Sequence, residues 1–415
     1  MSVDSKPPKN LLLVCYGGGH VNMLVPVIQE LLEQGDYQIT VLGLTTAGSV
    51  LSRNGISYIG FRDLVTPDNK ELVEQVGTRL SRGMDRSQSV AHEETIAYLG
   101  LSYLDLENQL GPDAARQIYD RKKRQAFLPL DTMRYLFDLY QPDLLVSTNS
   151  PRAERAAFMV ARERGIPAVC IVGLFAFHEI EWIGETGYAS KICVLSDFVK
   201  QIFLDAGRGD DEVVVTGNPA FDRLARPELA TMAFDLRNLN NWGSKKVVMW
   251  ASQPEPEIHP FTGKSGDPSL PRVIESELLR VVATHSDWEL VIRYHPGENI
   301  PEQRWPKNVT ISTEDQDLAV LLKAVDTVVT MTSTVGVEAV LLGKPLIAVN
   351  LSIFRPDAPF ENMGIARGVD SLEEIEPALQ EVLNGRWKPR EKMPVPGQAK
   401  KNILRLIMAL LGNEA

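Results

Sequence analysis

Four turns in this 415-residue chain place hydroxyl, imidazole and amide groups directly after short apolar runs. The fullest is Thr330–Ala339 (TMTSTVGVEA). There Thr332, Ser333 and Thr334 precede a glycine-containing helical pattern, and their hydroxyls, with the free N–H groups of a helix start, suit phosphate oxygens. Glu338 follows about one turn later, within reach of a ribose hydroxyl; the plainer reading of the whole run is a Ser/Thr helix cap. In Arg293-Tyr294-His295-Pro296-Gly297-Glu298, Pro296 fixes the backbone past an apolar run, so His295 is held where its imidazole can donate to a phosphate or a base. Arg293 opens that run and joins the candidate set. Ser252 and Gln253, in Ala251-Ser252-Gln253-Pro254, are expected to face the same pocket. The fourth turn, Gly17-Gly18-Gly19-His20, combines glycines that let the backbone turn tightly with a histidine able to take a proton from a hydroxyl near neutral pH. It is not GxGxxG, and Gly43-Leu44-Thr45 supplies no acidic residue after the second apolar run, which argues against a dinucleotide.

These turns need a scaffold that gathers them on one edge. Asn10–Tyr16, Tyr37–Leu44, Ile56–Phe61, Leu144–Ser147, Ala168–Val172, Lys191–Leu195 and Glu212–Val215 read as strands, most of them continuously apolar, with amphipathic helices such as Arg152–Arg164 between. Continuous apolar strands separated by helices imply a parallel sheet covered on both faces. The pattern restarts with strands at Lys246–Trp250, Trp288–Tyr294, Val309–Ile311, Thr327–Met331 and Pro345–Val349 and helices at Arg272–Thr284, Leu318–Ala324 and Val335–Leu342. The expected fold is α/β, two doubly wound Rossmann-like domains facing across a cleft: residues 1–220 with a helical insertion at 63–140, residues 221–397, and a closing helix in 398–415 that packs on the body. Ligands of such sheets bind at the carboxyl ends of the strands, where all four turns fall.

Composition narrows the rest. A formal net charge of -11 disfavours nucleic acid, which needs a basic face. Arg121–Arg124 and the set Arg79, Arg82 and Arg86 are local exceptions. Arg79, Arg82 and Arg86 could meet an acidic or lipid-linked acceptor, though a solvated helix face is the plainer reading. Cys15, Cys170 and Cys193 lie in or beside apolar runs without CxxC spacing, so neither a disulfide framework nor a zinc site is expected. No apolar stretch is long enough to span a bilayer and the first ten residues lack a signal-peptide core, so the expectation is a cytoplasmic protein, with peripheral membrane contact left open.

The run STVGVEAVLLGKPLIAVN (Ser333–Asn350) resembles the nucleotide-binding segment of bacterial glycosyltransferases with the GT-B fold, above all capsule and surface-polysaccharide enzymes. His295-Pro296 followed by Ser333-Thr334 is similar to paired motifs of sialyltransferase-like enzymes, and Val215–Pro219 (VTGNP) to an interdomain segment of the superfamily. The glycine loop before His20 looks like the start of UDP-sugar glycosyltransferases. The resemblance implies transfer of a sugar from a UDP- or CMP-sugar to a sugar or lipid-linked hydroxyl by direct displacement. The nucleotide-sugar would be a co-substrate, with no cofactor and no metal, since no DxD run ends a strand. His20 would be the base, and His295, Ser333, Thr334 and Glu338 would contact the donor. Gly18, Gly19, Asn149, Arg152, His178 and Glu179 are the acceptor-side candidates. One departure stands out: Ser147–Arg152 offers no aspartate to orient His20, and Glu154, Glu179 and Glu181 are the remaining acids, of a kind usually solvated on loops and helix surfaces. The rival enzyme is a UDP-N-acetylglucosamine 2-epimerase, but Val172–Glu179 lacks the HxEAGLR-type strand end of that group. A catalytically inactive nucleotide-sugar-binding module is the rival outside enzymology.

Overall fold

The computed structural model describes residues 8–84, 89–260 and 262–412; Arg86 and most of the N-terminal tail lie outside them. The chain forms two compact units, Met1–Asp222 with Gly397–Ala415, and Arg223–Pro396. Among the described residues, no helix is long and apolar enough to cross a membrane.

In the first unit six strands, β1 (Lys9–Cys15), β2 (Tyr37–Gly43), β3 (Leu144–Ser147), β4 (Ala168–Ile171), β5 (Lys191–Val194) and β6 (Val213–Val215), form one sheet in the order β2-β1-β3-β4-β5-β6. Every pairing is parallel. Leu11, Leu12, Leu13 and Val14 are all buried, as a strand with helices on both faces requires. The strand order reverses between β1 and β3, the position at which the loops on the carboxyl ends of such a sheet commonly form a ligand site. The helix Ala399–Leu410 closes this unit. Ile403, Leu404 and Ile407 enter its core, and Asp222 accepts the backbone N–H groups of Gly397, Ala399 and Lys400.

The stretch Ile56–Phe61, expected as a strand, makes only one bridge, Ile59 to Leu42, and passes into a 3-10 turn at Phe61–Leu64. The buried carboxylate of Glu94 accepts the N–H groups of Phe61 and Arg62 at 2.7 and 3.1 Å, which draws the backbone away from the sheet. Glu94 belongs to the helix His92–Leu110, one of five α-helices among the described residues between β2 and β3, with Lys70–Ser81, Pro112–Lys122, Leu130–Tyr140 and the shorter Ala47–Arg53. The helices His92–Leu110 and Lys70–Ser81 approach closely because they carry glycine at the contact: a Cβ on Gly77 would lie 2.1 Å from the Ile96 carbonyl oxygen, and one on Gly100 2.4 Å from that of Val73.

The second unit repeats the design with β7 (Lys246–Ala251), β8 (Trp288–Arg293), β9 (Val309–Ser312), β10 (Thr327–Thr330), β11 (Leu346–Val349) and β12 (Arg367–Val369), ordered β12-β11-β10-β7-β8-β9 and again all parallel. Its order reverses between β7 and β10. Trp250, Ile292 and Val329 pack its core against the helices Leu270–Ala283 and Ile375–Leu383. Strand β12 and the helix Ile375–Leu383 extend the expected pattern.

Candidate functional site

In the first unit the loops after β1 and β3 meet at the strand-order reversal. Cys15 ends β1, and Gly18 takes a positive φ of 67° that starts the helix Gly19–Gln34. This turn brings His20, the second residue of that helix, to Thr148 just past β3. His20 Nδ1 lies 2.6 Å from Thr148 Oγ1, and Thr148 Oγ1 lies 2.6 Å from Glu154 Oε2. Glu154 is fully buried, and it also accepts the N–H groups of Ser150 at 2.6 Å and Tyr16 at 2.8 Å. A carboxylate only accepts, so the single proton of the Thr148 hydroxyl goes to Glu154. Its lone pair is then left for the Nδ1–H of His20. In the neutral ring this fixes the tautomer: Nδ1 carries the proton and Nε2 the lone pair. The His20 side chain is 32% exposed. The cluster therefore has the parts of a general base: a half-exposed imidazole, a relay hydroxyl, and a buried carboxylate 3.8 Å away.

Glu154 was one of the three acids considered beside His20, and it is fully buried where such a residue is usually solvated. It occupies the second position of the helix Ala153–Glu163, in line with Ala157, Phe158 and Ala161, all buried. A lone acid inside an apolar stripe at helical spacing was the available signal. Glu179 precedes the short helix Ile180–Ile183, and Glu181 lies within it and is exposed. Asn149 is buried and its Oδ1 accepts the Gly173 N–H at 3.2 Å, tying the loop after β3 to that after β4. The Arg152 guanidinium lies 5.1 Å from the centroid of the Tyr16 ring. His178 is exposed and sits in the loop after β4.

In the second unit the loops after β7 and β10 also meet at the reversal. Gln253 donates from Nε2 to Thr332 Oγ1 at 2.7 Å and accepts the Thr332 N–H at 3.0 Å, an amide clamp between the two strand ends. Beside it, Glu298 accepts the Ser252 hydroxyl, the Arg272 guanidinium and the His295 N–H. The Gly297 N–H donates to His295 Nδ1 at 3.0 Å, so the neutral ring carries its proton on Nε2 and presents a donor. His295 and Pro296 are exposed. Ser333 is half-buried and Thr334 is exposed, at the start of the helix Val335–Leu341. Glu338 is buried; Arg223 donates to it at 2.5 Å, and burial raises its pKa against the opposing pull of that arginine. Arg293 is spent on the end of β9 and the loop after it, donating to Ser312 Oγ and to the carbonyls of Thr313, Glu314 and Gln316. Glu298 was visible in the sequence only as the fourth residue of His-Pro-Gly-Glu; its place as a hub depends on Ser252 and Arg272, both distant in sequence. Among the described residues no group of three or more His, Cys, Asp or Glu could hold a metal ion.

A family model described as capsule polysaccharide biosynthesis protein matches residues 277–357, a stretch that contains β8 to β11 and His295, Ser333 and Glu338. No curated protein matches the chain by sequence. Among solved structures, UDP-GlcNAc 2-epimerase from Neisseria meningitidis bound to UDP-GlcNAc is similar with a TM-score of 0.59 and 15% identity, over 96% of this chain and 100% of that one. UDP-GlcNAc 2-epimerase from Methanocaldococcus jannaschii gives 0.58 and 15%, over 96% and 99%. A glycosyltransferase from Rickettsia africae ESF-5 gives 0.52 and 12%, over 99% and 100%. The chain thus shares the two-domain α/β fold of these solved structures.

Proposed function

We propose that this chain is a glycosyltransferase of surface-glycan synthesis that moves a sugar from a UDP- or CMP-sugar to a hydroxyl acceptor. The chain His20–Thr148–Glu154 is the observation that carries the reading, because it supplies a base with its tautomer set. The acceptor O–H gives its proton to His20 Nε2, and the oxygen attacks the anomeric carbon. The bond from that carbon to the phosphate oxygen breaks, and the nucleotide leaves with the bonding pair. The His295 Nε2–H and the hydroxyls of Ser333 and Thr334 meet the charge gathering on the leaving phosphate. Two arms test this. UDP or CMP should raise the melting temperature, since a ligand at 100 Kd adds about 2.7 kcal/mol. His20→Ala should keep that shift and lose transfer by about 10²–10⁴-fold. A full rate in His20→Ala, or no shift with any nucleotide, would overturn the proposal.

A second reading, a 2-epimerase, is favoured by the higher structural likeness to the epimerases. The segment Val172–Glu179 after β4 lacks the strand-end pattern expected of that group. Incubation with UDP-GlcNAc alone separates the two, because epimerised or released N-acetylmannosamine without an acceptor supports the epimerase.

A further inference from the structure

The arginines of this chain that are shielded from solvent follow one rule with two exceptions. Arg134, Arg226, Arg272 and Arg367 each reach a carboxylate, and Arg208, Arg237 and Arg293 reach carbonyl oxygens. Arg152 and Arg155, both half-buried, have no side-chain hydrogen bond or ion pair among the described residues. Each is held instead on an aromatic face, Arg152 at 5.1 Å from the Tyr16 ring centroid and Arg155 at 5.8 Å from that of Trp182. Ring faces steady a guanidinium without using any of its five N–H donors. The Nε of Arg152 is buried with no partner, as are those of Arg208 and Arg226; what sets Arg152 and Arg155 apart is that their terminal N–H groups are also left without an acceptor among the described residues, free for an anion.

Their place gives the pair a use. Tyr16 follows β1, Arg152 and Arg155 follow β3, and Trp182 lies in the segment after β4. The backbone N–H of Tyr16 binds Glu154, the acid behind Thr148 and His20. The two arginines thus stand on the strand ends that carry the base.

We propose that Arg152 and Arg155 bind an oxyanion on the acceptor, so that the enzyme selects a sugar bearing a carboxylate or a phosphate over a neutral one. This rests on reading the His20 cluster as the acceptor side. Planar guanidinium groups held on ring faces suit the paired oxygens of either anion.

The test is a calorimetric titration of the full chain, without donor, using methyl β-glucuronide for the carboxylate, glucose 6-phosphate for the phosphate and methyl β-glucoside as the neutral control. At least one acidic probe should bind about tenfold or more tightly than the glucoside, the ratio one charge-assisted contact supplies, and added salt should shrink the difference. Arg152→Gln and Arg155→Gln should each reduce the preference at a near-native melting temperature, and Arg152→Lys should retain part of it. Equal affinity for acidic and neutral probes, no acidic probe binding at millimolar concentration, or a preference that survives both glutamine variants would overturn the proposal. No transfer enters this titration, so it can fail while His20-dependent transfer stands, and succeed where transfer fails.

Discussion

The Thr148 hydroxyl donates to the buried Glu154 carboxylate across 2.6 Å, and the same oxygen stands 2.6 Å from His20 Nδ1. One side chain thus sets both the state of the carboxylate's lone pairs and the tautomer of the ring. Thr148→Val keeps the shape and removes both contacts. Transfer should fall by about ten- to a hundredfold, part of what a positioned base contributes, while Thr148→Ser should keep most of the rate. A valine variant as fast as the parent would remove the hydroxyl from the mechanism.

Removing the acid has a second consequence, in stability. Glu154→Ala strands the Tyr16 and Ser150 N–H groups and the Thr148 hydroxyl in a fully buried place. Each unsatisfied buried group costs about 1–3 kcal/mol, so urea should unfold the first unit at a clearly lower concentration. Glu154→Gln, which retains one accepting oxygen, should lose less.

The three cysteines are free and buried. Burial pushes all three thiols up, Cys193 to about 12, and the Glu154 charge adds to the effect at Cys15 and Cys170. Thiolate is the reactive form, so Ellman's reagent should label none of the three in the native protein at mild alkaline pH and all three in denaturant. Fast native labelling would contradict the packing of β1, β4 and β5 around them.

Asp105, on the helix His92–Leu110, is pushed up to about 6 by burial, against the Thr132 N–H that its carboxylate accepts at 2.9 Å. The folded state therefore holds this proton where the unfolded chain, with its ordinary value of 3.8, has lost it. The contribution is fully present below pH 4 or so and is lost as pH rises through about 6, at up to roughly 1.4 kcal/mol per unit in between. The parent minus Asp105→Asn difference in unfolding free energy should fall across that window and level off above it. A flat difference would show that the aspartate titrates normally.

How far the sequence reached depended on whether contacts were local. The strands of both sheets were legible because buried parallel strands are continuous apolar runs, as in Leu11–Val14 and Val247–Trp250. Strand β12 has three residues, Arg-Gly-Val, too few to show a pattern. Ile56–Phe61 had the composition of a strand, and Glu94, some 33 residues later, drew its end away. The strand-end turns holding His20, Gln253, His295 and Thr332 were legible from apolar run plus turn. The Thr148 link and the Glu298 hub were not, since each joins segments that only the parallel crossovers bring together.

Glu338 shows the same division and can be tested. Its place one turn into a helix suggested a ribose contact, and the structure gives its buried carboxylate a partner in Arg223. Arg223→Ala leaves that charge alone. The cost should be about 1–3 kcal/mol, below that of a fully buried pair because the arginine side chain is 45% exposed. With the counter-charge gone, burial lifts the carboxylate's pKa further, so the folded state takes up a proton sooner than the unfolded one on acidification. The loss should therefore be greatest at neutral pH and shrink as pH falls. Adding Glu338→Gln should recover much of the stability at neutral pH. The same variants address the nucleotide. If Glu338 holds a ribose hydroxyl, Glu338→Gln should weaken the thermal shift given by UDP or CMP beyond its own effect on stability. If the shift is unchanged, Glu338 serves only to anchor Arg223 and takes no part in holding the nucleotide.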